Sequence, residues 1–198
     1  MARYRFVTEM HLGAPIDAVY GAIADPDGWV GDWADAVTVR RDAPGDRDGL
    51  GARFTATVRA PAGYELSATI ETVETKRPTR LRMRSSGELE GGGVWQLRPR
   101  ADGTDVRFDW DVTTTATWMN RLTPVARALF EWSHGVVVRN ATDAAAAHLG
   151  TEVLWFRSRP DRQGRGRRAA AVAIVVAVVL ATYGARCSRS VRSSRHPS

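Results

Sequence analysis

The side chains in this sequence from which chemistry could be drawn are few and scattered. There are four histidines and one cysteine. His134 and His148 fall on similar sides of a helical run but about 21 Å apart at helical rise, too far to share a metal ion. His11 stands alone in a strand pattern, His196 sits in a basic tail, and Cys187 has no CxxC partner. No GxSxG, GxxxxGK[ST] or GxGxxG motif is present to position a nucleophile or cradle a phosphate. The run Gly91-Gly92-Gly93 suits a bulge or a strand break better than a phosphate cradle. What remains is Ser133 and Asn140, which interrupt the apolar face of the long helix, with Tyr64 and Asp143 as further polar groups. The two interruptions either bond to their own backbone or look into a cavity, where buried polar groups need partners. No catalytic residue, cofactor or metal ligand is assigned, and the balance favours a binding protein over an enzyme.

The element that carries Ser133 and Asn140 runs from Trp118 to Leu149. Leu122, Val125, Ala126, Leu129, Trp132, Val136, Val137, Ala144 and Ala147 fall on one face at 100° per residue. Arg127, Glu131, His134 and Thr142 fall on the other. Thr123 is placed to cap, Pro124 fits the first turn, and Gly150 supplies a C-terminal stop. Such a helix, roughly 39 Å from Pro124 to Leu149, needs a broad apolar partner.

The preceding residues read as that partner. Tyr4, Phe6, Thr8 and Met10 alternate with Arg5, Val7, Glu9 and His11 in a first strand. A short helix opens at Ala14-Pro15-Ile16-Asp17, with Ile16, Val19, Tyr20 and Ile23 as its apolar face, and ends at Asp25-Pro26. Trp29 and Trp33, four apart, suit one face of a second short helix as packing anchors. From Ala36 the period becomes two, broken by an Asp-, Gly- and Pro-rich loop from Asp42 to Gly51. Phe54, Tyr64, Leu66, Trp95, Leu97, Phe108 and Trp110 occupy the apolar phase of an antiparallel meander, and charged residues occupy the other. Together with Trp132, Ser133, Val136 and Asn140 from the helix, those seven residues are the expected lining of a ligand pocket.

Length and charge bound the function. A chain of 198 residues, 43% hydrophobic and 25% charged, holds one globular domain and an extension. The net charge of +6 is uneven. Up to Phe156 acids slightly outnumber bases, whereas Arg157 to Ser198 holds ten arginines against the single acid Asp161. Nucleic-acid binding by the domain therefore has little support, and a basic tail acting as a nucleic-acid arm is the only such alternative.

The order of elements, with Ala14-Pro15…Val19-Tyr20…Asp25-Pro26…Trp29…Trp33 near the start, resembles the SRPBCC superfamily. Gly103-Thr104…Trp110-Asp111-Val112, Trp118-Met119-Asn120 and Trp132-Ser133-His134-Gly135…Arg139-Asn140 look like the closing part of its bacterial members. This is the START-like or birch-pollen-allergen-like helix-grip group, which includes polyketide cyclase/dehydrase and lipid-transport proteins. The resemblance covers about residues 3 to 156. It implies an α+β fold in which a curved antiparallel sheet wraps one long C-terminal helix, with a cavity between them for a lipid, polyketide or other hydrophobic molecule. It brings no universal catalytic motif; the alternative function it implies is a polyketide aromatase/cyclase using the same cavity.

Beyond the domain at 1–156, the sequence divides into an Arg-rich linker at 157–168, an uncharged stretch at 169–185 and a basic tail at 186–198. The uncharged stretch would span about 25 Å as a helix, slightly less than a hydrocarbon core, and flanking arginines can snorkel to extend it. We read it as a single C-terminal transmembrane anchor. Met1 leads straight into a strand pattern with no signal peptide, which places the domain on the cytoplasmic side of the cell membrane. The expected partners are thus a hydrophobic small molecule and a bilayer.

Overall fold

The structure, a computed structural model, describes residues 2–26, 37–60, 63–116 and 123–161. Trp29, Trp33, Trp118, Leu122, Cys187 and the stretch 169–185 lie outside the described residues, as do the side chains of Val125 and Ala126. Eight strands form one antiparallel sheet: β1 Arg3–Leu12, β2 Val37–Ala43, β3 Arg53–Arg59, β4 Glu65–Lys76, β5 Arg80–Gly87, β6 Leu89–Arg100, β7 Gly103–Thr114 and β8 Val153–Pro160. Their spatial order is β2-β3-β4-β5-β6-β7-β1-β8. Two helices complete the described fold, α1 at Ile16–Ala24 and α2 at Thr123–His148.

Alternation sets the register. Phe6 lies opposite Trp110 and Thr8 opposite Phe108 across β1 and β7, while Trp95 lies opposite Phe108 across β6 and β7. One face of the sheet therefore collects aromatic rings, because side chains two apart share a face. The other carries charge: Arg3 and Arg5 both reach Asp111, and Arg107 bridges Glu9 and Asp109. These exposed pairs are each worth on the order of 0–1 kcal/mol. They serve mainly to keep that face wet.

Both helix ends follow from local chemistry. Pro15 stands at the N-cap of α1 with Asp17 in the first turn, where an acid suits the helix dipole. At the end of α2, Gly150 takes a left-handed φ of 63°, and Thr151 N–H turns back to Ala146 O at 2.9 Å. The reversal sends the chain into β8, which pairs with β1.

Strand β8 departs from the sequence expectation of a domain ending at 156 and a linker beginning at Arg157. Ser158 Oγ lies 2.9 Å from Thr8 Oγ1, and Asp161 N–H donates to Arg5 O at 2.8 Å. Arginines alternate with Ser158 and Pro160 here, so the outward basic residues hide a strand pattern. A second correction concerns Gly91-Gly92-Gly93, which breaks nothing: all three residues lie inside the continuous strand β6.

Candidate functional site

Between the inner face of the sheet and α2 lies a cavity of about 340 Å³. From the sheet side it is lined by Phe54, Tyr64, Leu66, Ile70, Met83, Trp95, Phe108 and Trp110, and from the helix by Phe130, Ser133, His134, Val137, Ala141 and Thr142. Among the described lining residues there is no Asp, Glu, Lys or Arg.

The sheet wall depends on one glycine. Trp95 and Phe108 stack with centroids 4.0 Å apart and 12° between planes, and Trp110 tilts against Phe108 at 5.6 Å. A Cβ on Gly93 would stand 2.6 Å from Phe108 Cε2 and 2.7 Å from Trp110 Cε3. The missing side chain is what lets these rings lie down against β6 instead of filling the cavity. Gly93 therefore has a packing role on the inner face.

The helix wall differs from the expected one. Phe130 and Ser133 are buried, whereas Trp132 is 41% exposed and Asn140 is exposed. Relative to the face centred on Leu129, the buried face is turned by roughly a third of a turn. Trp132, Val136 and Asn140 are consequently not part of the lining. Asp143 is spent on an outward ion pair with Arg139 at 2.9 Å. Leu97 is also absent from the lining; it is buried in a second core cluster with Tyr20, Leu81 and Val106. Phe54, Tyr64, Leu66, Trp95, Phe108, Trp110 and Ser133 are brought together around the cavity as expected from their phase.

His134 is the group that the helical periodicity put on the wrong side. Its ring stacks on Phe6 at 3.8 Å with 21° between planes, and Nε2 is buried with no hydrogen-bond partner. Burial holds the imidazole neutral, pushing its pKa from 6.5 down to about 3. Trp95 Nε1 is likewise buried without a partner, and Ser133 Oγ is buried beside the Tyr64 phenol. Burial raises the pKa of the Tyr64 phenol, and the Ser133 hydroxyl facing it opposes that shift. Thr142 is satisfied, donating to Val138 O at 2.8 Å. The cavity is thus an apolar chamber, with a small number of uncharged polar atoms packed behind its walls.

Outside the chamber, His11 is not alone. Its Nδ1 lies 2.7 Å from Asp105 Oδ1, tying β1 to β7 on the outer face. That bond, together with Arg100, holds the Asp105 carboxyl below its usual range. Among the described residues, no three His, Cys, Asp or Glu side chains come together as metal ligands. No helix among them is long and apolar enough to cross a membrane.

Similar folds are known. The protein TTHA0849 of Thermus thermophilus matches with a TM-score of 0.58 at 20% identity, over 74% of this chain and 99% of that one. The ZhuI aromatase/cyclase of Streptomyces sp. R1128 matches with a TM-score of 0.61 at 17% identity, over 75% of this chain and 94% of that one. The di-domain aromatase/cyclase BexL of the BE-7585A biosynthetic pathway matches over 74% of this chain and 50% of its own length, with a TM-score of 0.58 at 18% identity. At such identities the likeness is one of fold. A comparison with curated proteins returns no match. The family described as polyketide cyclase / dehydrase and lipid transport matches residues 3–150. That match spans well over half of the sequence, and the chain belongs to the polyketide cyclase/dehydrase and lipid-transport family.

Proposed function

We propose that the protein binds and carries a hydrophobic small molecule, lipid or polyketide-like, in the cavity between sheet and α2, beside a membrane to which its C-terminal segment tethers it. The observation that carries the reading is the cavity itself: an apolar chamber of about 340 Å³ walled by Trp95, Phe108 and Phe130. An empty volume of that kind forfeits packing, and filling it with an apolar molecule restores the contacts. The membrane part rests on composition, since residues 169–185 are free of charge and arginines flank them on both sides.

The second reading is an aromatase/cyclase, favoured by Ser133, His134 and Tyr64 lining one chamber. Against it stands the basicity of His134. An imidazole with a pKa pushed down to about 3 is a poor general base at neutral pH, where proton transfer is best served by a pKa near the working pH. His134 is better suited to hydrogen bonding than to proton abstraction.

The test combines fractionation with ligand recovery. The full chain is expected in the membrane fraction carrying an extractable hydrophobic molecule, and a chain ending at Asp161 is expected in the soluble fraction with that molecule still bound. Both proteins appearing in the soluble fraction would refute the tether. Turnover of a poly-β-ketone by the purified protein, abolished in Ser133→Ala, would select the enzyme instead.

A further inference from the structure

An apolar stripe on α2 faces away from the rest of the fold. Leu129, Trp132 and Val136 recur at helical spacing, yet the helix turns Phe130, Ser133 and Val137 toward the sheet and the chamber. Trp132 is left 41% exposed, with Leu129 and Val136 partly exposed on the same side. The other large apolar side chains exposed among the described residues are Leu50 in a loop and Leu154 and Trp155 on β8. Trp132 is thus the exposed aromatic of the helix, and tryptophan is the residue type that most often anchors a protein interface.

One turn beyond Trp132 stands Gly135. Its φ is not positive, so its backbone does not require glycine, and a Cβ there would meet nothing within 4 Å. In the interior of a helix, glycine is less stable than alanine. Nothing inside the described fold repays that cost. What the missing side chain allows is close approach by a second backbone.

The charges around Gly135 say whose backbone that is. Four residues before it stands Glu131, 3.8 Å from Arg127; four residues after it stands Arg139, 2.9 Å from Asp143. Read along the helix, the order is plus, minus, glycine, plus, minus. The same order reversed is its own complement. Two copies laid antiparallel about Gly135 set Glu131 of each against Arg139 of the other, whereas a parallel pair in register sets like on like. Glu131, Gly135 and Arg139 also form one ridge with a spacing of four, and ridges of that spacing interdigitate in the commonest crossing of two helices. The partner's Arg139 then lies near the Trp132 ring, where a guanidinium is attracted to the aromatic face.

We propose that the outward face of α2 is a dimer interface, at which two copies of this chain cross antiparallel at Gly135, with Trp132 and Glu131 of each against Arg139 of the other. One helix crossing is small for an interface, so the expected dissociation constant is on the order of 10 µM.

Sedimentation of the full chain in detergent, over a range of concentrations, tests it. The wild type is expected to pass from monomer to dimer. Gly135→Ala is expected to weaken association at least about tenfold while melting no lower than the wild type at monomeric concentration. Loss of pairing in that variant cannot then be laid to unfolding. Trp132→Gln is a second variant with the same expected loss. Arg139→Glu and Glu131→Arg are each expected to lose self-association, and an equal mixture of the two is expected to regain it, since each then meets the opposite charge. A wild type that stays monomeric up to about 200 µM would overturn the proposal and leave the stripe to a bilayer or to another protein. A dimer that survives both Gly135→Ala and Trp132→Gln would overturn the placement of the interface. A mixture that stays monomeric would overturn the antiparallel pairing.

Discussion

Phe6 on β1 and His134 on α2 stack face to face at 3.8 Å, so a histidine is held as a hydrophobic surface between sheet and helix. The ring's pKa is pushed down to about 3 from 6.5. Above pH 6.5 the imidazole is neutral in both folded and unfolded chains and adds no pH dependence. Between pH 6.5 and about 3 the unfolded chain takes up a proton that the folded one refuses, so stability falls as pH falls. The loss grows by on the order of 1 kcal/mol per pH unit across that window. Thermal melts between pH 6.5 and 4.5 should therefore slope more steeply for the wild type than for His134→Phe. Asp105 and Asp111 act in the same direction but lower down. Their depressed pKa values give stability that is present above about pH 3.8 and lost as pH falls further. Parallel melting curves for the two proteins above pH 4.5 would show that His134 is not held neutral.

Gly93 and Gly135 should respond in opposite directions to the same substitution. A Cβ at Gly93 meets Phe108 and Trp110 inside normal contact distance, so Gly93→Ala should cost about 1–3 kcal/mol and shrink the chamber. Nothing lies within 4 Å of a Cβ at Gly135, in the interior of α2, so Gly135→Ala should stabilise by up to about 1 kcal/mol. Denaturant melts of the two variants check both signs.

The rotation of α2 is tested by two aromatic residues two positions apart. Phe130 is 6% exposed and Trp132 is 41% exposed. Phe130→Ala should cost about 3–5 kcal/mol, and Trp132→Gln should stay within about 0.5 kcal/mol of wild type. The reverse order in equilibrium unfolding would restore the face centred on Leu129.

A chain ending at Phe156 cuts β8 in its middle. It loses the Ser158–Thr8 contact and the Asp161 to Arg5 hydrogen bond, and it leaves the edge of β1 open along Phe6 to Glu9. Residues 1–161 should melt measurably higher than residues 1–156, and the shorter chain should aggregate more readily through its bare edge. Equal melting temperatures would mean that β8 contributes nothing to the domain.

The sheet was readable because alternation is a strict signal. Tyr4, Phe6 and Met10 against Arg5, Glu9 and His11, and Val106, Phe108 and Trp110 against Arg107 and Asp109, leave one register that buries the rings. Its aromatic wall followed at once. Helix α2 was harder, because Ala and Val surround it and offer more than one apolar stripe. Trp132 pulled the expected face toward itself, while His134 and Thr142, being polar, read as outward. The structure turns them inward because the partner is a chamber, not a packed core. Strand β8 was hidden by its arginines, which a linker and an exposed edge strand share.

The most direct test of ligand binding is native mass spectrometry of the purified full chain in parallel with residues 1–161, followed by organic extraction. We expect both to carry one hydrophobic molecule per chain and to yield the same compound on extraction. Bare protein masses for both, with no uptake of added anthraquinone or anthracene, would contradict the account and make the chamber a packing defect.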